Sequence, residues 1–152
     1  MTERDVATIQ RIREFRDHTR ECAVQMMMNA IYIQRELANV RMSDELRQRT
    51  EKLCSALIGT KHDLVTEIFE LDEKLGSGAG NEELLRRINR MVQWASEDAL
   101  QMHEIVMALD AELQKGVMDG GAYLLVSESA VNILRPLHEM RATAAQLKEA
   151  LS

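Results

Sequence analysis

Apolar residues recur at alternating spacings of three and four along four stretches of the chain. This is the period of a helix that packs along one apolar stripe. The pattern predicts helices at about residues 3–41, 44–75, 81–115 and 121–151. Each is roughly 45–57 Å long, and the connections between them are short. The sequence therefore predicts one all-α domain over residues 1–152, a long up-down-up-down four-helix bundle.

The stripe of the third helix is apolar at every position. It consists of Leu85, Ile88, Val92, Ala95, Ala99, Met102, Val106, Leu109 and Leu113. The first helix has a similar stripe with two polar members: Ile9, Ile12, Arg16, Thr19, Ala23, Met26, Ala30, Ile33, Leu37 and Val40. The fourth helix contains Pro136, and we expect a kink near residues 132–136 because proline removes one backbone hydrogen bond.

Turn residues separate the predicted helices. Ser43 is a suitable N-cap for the second helix, since the apolar stripe starts again at Leu46 in a new register. The segment Gly76–Gly80 ends that helix, and Asn81 is the expected N-cap of the third. These signals favour tight reversals over one continuous rod.

The segment Cys22–Ile33 is apolar almost all the way round the first helix, which exceeds what one stripe needs. Core positions account for part of it, and four residues are left over: Met27, Met28, Ile31 and Tyr32. Trp94 is similarly outside the stripe of the third helix. A contiguous exposed apolar patch is typical of an interface, and Trp, Tyr and Met are common there. We predict that these five residues contact a partner, with burial within the monomer as the alternative.

Composition restricts the class of partner. The net charge is −6 and no basic run of five or more occurs, which disfavours nucleic acid. No apolar run reaches about 18 residues, so no membrane span is expected. The first ten residues lack the apolar core of a secretion signal, which favours a cytoplasmic location. Cys22 and Cys54 are offset along the predicted hairpin, and we expect free thiols.

Residue patterns for metal or cofactor chemistry are weak. A di-metal bundle needs Glu-x-x-His pairs pointing inward, and the nearest pattern is His18-x-x-Glu21 in reverse, away from the stripe. Neither cysteine has a histidine three or four residues away. The glycines of Gly76–Gly80 follow a helix and lack the Lys-Ser/Thr of a phosphate-binding loop. We therefore predict no metal, no cofactor and no catalytic residue.

The fragment 137–141, Leu-His-Glu-Met-Arg, is similar to the phospho-accepting box of sensor histidine kinases. The resemblance implies that His138 accepts a phosphoryl group. The family's Thr-Pro after the arginine is Ala142-Thr143 in this chain. Since His138 shares its register with Leu124 and Val131, we expect a half-buried packing histidine instead.

The sequence as a whole predicts a non-enzymatic cytoplasmic bundle that works through protein–protein contacts, as a homo-oligomer, an adaptor or a chaperone-like binder. A second copy of the chain is the favoured partner. The alternative is a signalling bundle that uses His138 for phosphotransfer or binds a small ligand between its helices near Pro136. A carboxylate–histidine metal protein is a third, weaker hypothesis.

Overall fold

The computed structural model describes residues 5–116 and 119–152, and this part of the chain is an all-α four-helix bundle. The helices are α1 (Val6–Glu36), α2 (Asp44–Gly76), α3 (Asn81–Gln114) and α4 (Gly120–Leu151), with a short 3-10 helix at Leu37–Asn39. The predicted architecture is confirmed. The predicted start of the first helix at residue 3 lies outside the described residues.

Each helix packs against its neighbours in sequence, and α1 packs against α4 to close the ring. Polar contacts fix the register of neighbouring helices. Arg16 on α1 contacts Asp72 on α2 at 3.2 Å, and Asn132 on α4 donates to Oδ1 of Asn29 on α1 at 3.1 Å. Helix α4 is thus flanked by α1 and α3 and leaves one side toward solvent.

The reversal between α1 and α2 is held by side chains. Helix α1 ends at Glu36, five residues before the predicted boundary at 41. The guanidinium of Arg47 donates to the carbonyl oxygens of Leu37 and Val40, which an α-helix would use internally. The predicted cap is confirmed, since Oγ of Ser43 accepts from the backbone N–H of Leu46 at 3.3 Å. The predicted cap Asn81 is instead the first residue of α3, preceded by Gly80.

The core stripe of α3 differs from the predicted one at every second position. The buried residues are Leu84, Ile88, Met91, Ala95, Asp98, Met102, Ile105 and Leu109. The row that includes Val92, Ala99 and Val106 is only partly buried against this core. Both rows are apolar except at Asp98. Because Asp98 is polar, the sequence pattern favoured the row through Val92, Ala99 and Val106 as the core.

An ion-pair network joins α2 to α3. Arg87 lies 3.2 Å from Glu67, 2.8 Å from Glu70 and 3.4 Å from Glu83. Glu67 is buried and also faces Arg90 at 3.6 Å. These contacts compensate the charge of a carboxylate that burial would otherwise destabilise.

Helix α4 continues through Pro136, which is buried. Proline has no N–H, so the carbonyl oxygen of Asn132 loses its usual intrahelical partner. The kink expected at this position remains a prediction.

Candidate protein-binding face

Helix α1 has a second apolar stripe that faces solvent. Val24, Met28 and Ile31 follow the spacing of four and three that a helix-packing seam needs, and all are exposed. Tyr32 extends the stripe toward α4, and the exposed fraction reaches 58% at Met28. Met27 is half-buried. The sequence thus predicted three of the exposed residues and missed Val24.

Helix α4 carries exposed apolar residues that the sequence interpretation assigned to a packing row. Leu124 and Val131 are 54% and 56% exposed, and His138 in the same row is exposed as well. The expectation of a half-buried His138 is therefore wrong. This row lies opposite Val126, Ile133 and Leu137, which fill the core. One stripe suffices to pack α4, and the row that contains His138 faces outward.

The register between α1 and α4 brings the two exposed stripes together. Because α1 and α4 run antiparallel and Asn29 hydrogen-bonds Asn132, Met28 and Val131 differ in level by only about two residues, or ~3 Å, on adjacent helices. The contact between His18 and Glu139, 3.8 Å apart, lies eleven residues before Asn29 on α1 and seven residues after Asn132 on α4, as expected for antiparallel helices. We call this surface the α1–α4 face. It comprises Val24, Met28, Ile31, Tyr32, Leu124 and Val131.

Four charged residues flank the α1–α4 face. Glu21 and Arg35 lie before and after the stripe on α1, and Glu128 and Arg135 lie before and after Val131 on α4. Glu21, Arg35, Glu128 and Arg135 make no ion pair with any residue in 5–116 or 119–152. The face therefore has an apolar centre and an edge of unpaired charges of both signs, the arrangement of a typical interface.

A polar groove adjoins the apolar centre between α1 and α4. Its volume is about 320 Å³, near the lower limit of a small-molecule pocket. The lining residues are His18, Glu21, Gln25, Asn132, Arg135, Pro136 and Glu139. Charged and amide side chains dominate this lining, whereas most ligand pockets are largely apolar.

Trp94 lies apart from this surface. It is partly buried on α3 and packs against the core, and the guanidinium of Arg90 lies 5.9 Å from its ring centroid. A cation over the face of an indole is a favourable contact within the chain. Trp94 and the α1 residues therefore do not form one patch.

The polar groups of the core give no catalytic arrangement. Burial raises the pKa of the Cys22 thiol to about 12 and that of Cys54 to about 11, so both are protonated and unreactive at neutral pH. Both cysteines are free. Burial likewise raises the pKa of Asp98 to about 6. A hydrogen bond from the hydroxyl of Thr60 on α2 to this carboxylate acts in the opposite direction.

Residues 5–116 and 119–152 contain neither a metal-binding cluster nor a membrane-spanning helix. Among their His, Cys, Asp and Glu side chains, no group of three or more could hold a metal ion. Within residues 5–116 and 119–152, no helix has the length and apolar character that crossing a membrane requires. Comparisons with protein-family models, curated proteins and solved structures gave no match.

Proposed function

We propose that this chain works through protein–protein contact and that the α1–α4 face is the docking surface. The main observation in support is that two exposed apolar stripes lie side by side on adjacent helices, at nearly the same level at Met28 and Val131. Scattered apolar residues are normal on a protein surface, but a contiguous patch is not.

The size of the patch supports this proposal. Six half-exposed apolar side chains expose on the order of 500 Å² together. Each partner in a standard interface contributes roughly 800 Å², of which about 60% is non-polar. The apolar area of the face is therefore close to what one partner contributes to a stable complex.

The experiment compares Met28→Glu/Tyr32→Glu with the wild type by fluorescence-detected sedimentation, both purified and in an extract of the source cells. We expect the variant to keep its helical circular dichroism and to sediment as a smaller species. Phe69→Glu is the matched control, because Phe69 is 70% exposed on α2, outside the face. Equal sedimentation of all three proteins under both conditions contradicts the proposal.

The exposure of His138 supports a second candidate, a signalling role in phosphotransfer. An imidazole that accepts a phosphoryl group must reach solvent, and His138 does. Incubation with a small phosphodonor, followed by mass spectrometry of the wild type and of His138→Gln, tests it. A phosphoryl adduct at His138 supports this candidate, and its absence from the wild type removes it.

We keep the cytoplasmic location expected from the sequence as part of the proposal. The free, buried thiols of Cys22 and Cys54 support it, since disulfides are rare in reducing compartments. Cell fractionation is the direct measurement.

A further inference from the structure

We propose that the partner on the α1–α4 face is a second copy of this chain, docked antiparallel about a two-fold axis that crosses α1 and α4 near Met28 and Val131. This inference rests on the proposed docking function and names the occupant of the same face. In the arrangement α1 packs on α1 of the partner copy, and α4 packs on α4.

The charges on α4 are self-complementary about this axis. Glu128 and Arg135 are seven residues apart, so they lie on the same flank of the helix, two turns from each other. Their midpoint is next to Val131. An antiparallel two-fold pairing therefore brings Glu128 of one copy opposite Arg135 of the other, twice in each dimer.

The charges on α1 repeat the same relationship independently. Glu21 and Arg35 lie on the same helical row as Met28, seven residues before it and seven residues after it. A two-fold axis at Met28 brings Glu21 opposite Arg35 of the second copy. Because the Asn29–Asn132 bond already aligns Met28 with Val131, one axis satisfies both helices. The four unpaired charges thus acquire partners in a single closed dimer.

A parallel pairing has the opposite consequence. A parallel pairing of α4 with α4 sets Glu128 against Glu128 and Arg135 against Arg135, and like charges directly opposed are destabilising. The charged residues at the edge of the face therefore favour an antiparallel orientation of the paired helices. The apolar centre contributes most of the stabilisation.

Charge reversal tests the pairing. Glu128→Arg and Arg135→Glu each create like-charge contacts across the axis, and we expect each to weaken the dimer at least tenfold. The double variant exchanges the two charges and should restore most of the wild-type dimerisation in sedimentation equilibrium. Singles and double alike should remain helical, because both side chains are exposed. A double variant no better than either single overturns the pairing.

Oxidative cross-linking tests the direction of the helices. Val131→Cys lies at the axis and should give a covalent dimer. Ala145→Cys is the matched control on the same exposed row, fourteen residues or about 21 Å further along α4. Two copies of residue 145 are about 40 Å apart in the antiparallel dimer but adjacent where two copies of α4 pair in parallel. The native Cys22 and Cys54 are fully buried, so the wild type should not cross-link.

The outcomes separate this inference from the proposed function. Cross-linking at 145 overturns the antiparallel arrangement but leaves the face as a docking surface. The wild type could instead be monomeric when purified and still sediment faster than Met28→Glu/Tyr32→Glu in extract. That result contradicts the inference that the partner is a second copy and supports a different protein partner. A dimer that survives Met28→Glu/Tyr32→Glu overturns both.

Discussion

The hydroxyl of Thr60 on α2 hydrogen-bonds the buried carboxylate of Asp98 on α3. The other carboxylate oxygen, Oδ2, has no hydrogen-bond partner in the described part of the chain. A buried carboxylate with one contact is stabilised in its neutral form. This pair makes the stability of the bundle depend on pH.

Asp98→Asn should abolish that dependence. The folded chain holds the Asp98 proton up to about pH 6, and the unfolded chain loses it near pH 3.8. The free energy of unfolding therefore falls as pH rises through this window, by on the order of 3 kcal/mol from this group. Asn resembles the neutral acid, so the variant should equal the wild type at pH 4 and be more stable at pH 7. Urea unfolding measures both.

The control for that experiment is Asp63→Asn, which removes an exposed carboxylate from α2. Its unfolding free energy should follow the wild-type pH profile. An Asp98→Asn variant that is less stable than the wild type at pH 7 contradicts the assignment of Asp98 as a destabilising charge.

Asn132→Ala should destabilise the bundle by about 1–2 kcal/mol, because it leaves Oδ1 of the buried Asn29 without its interhelical donor. Asn89→Ala is the matched control, since Asn89 is an exposed helical asparagine on α3 and gains the same helix propensity. The difference between the two variants in urea unfolding isolates the α1–α4 hydrogen bond. Equal stabilities would mean that the bond contributes nothing net.

Arg87→Met should cost about 2 kcal/mol, because it leaves the buried Glu67 with only its longer contact to Arg90. Arg86→Met replaces an exposed neighbour on the same helix, and Arg and Met have similar helix propensities. We expect Arg86→Met to lie within about 0.5 kcal/mol of the wild type in thermal or urea unfolding. A comparable loss in both variants argues against the network.

The thiols of Cys22 and Cys54 should react with an aromatic disulfide reagent at pH 8 only as fast as the bundle opens. Burial raises the pKa of both thiols, to about 12 and about 11, and excludes the reagent. Both should react at once in denaturant, which provides the stoichiometric control. Rapid labelling of the native protein would show that this part of the core is open.

The periodicity of the sequence was enough to predict the architecture, because each helix carries a complete apolar stripe. It was insufficient where two rows compete. On α3 the rows through Met91 and Val92 are both apolar, and burial of Asp98 depends on its tertiary partner Thr60. A tertiary contact of that kind has no periodic signal, so the sequence indicated the wrong row.

The exposed residues of the α1–α4 face were predicted only in part for a related reason. Met28 and Tyr32 stood out because a whole segment of α1 is apolar. Val131 did not stand out, since a valine in an ordinary amphipathic helix is usually interpreted as a core residue. Its significance comes from the alignment with Met28, and the Asn29–Asn132 register that sets this alignment links residues 103 positions apart.

That separation has a consequence for the order of assembly. Contacts between α1 and α2, α2 and α3, or α3 and α4 close short loops, whereas α1 meets α4 only after nearly the whole chain has been enclosed. Closing long loops is the entropically costly step, so we expect the α1–α4 contact to form late in folding. The two halves of the α1–α4 face meet only in that step. Partly folded chains thus lack the surface through which we propose that folded bundles recognise each other.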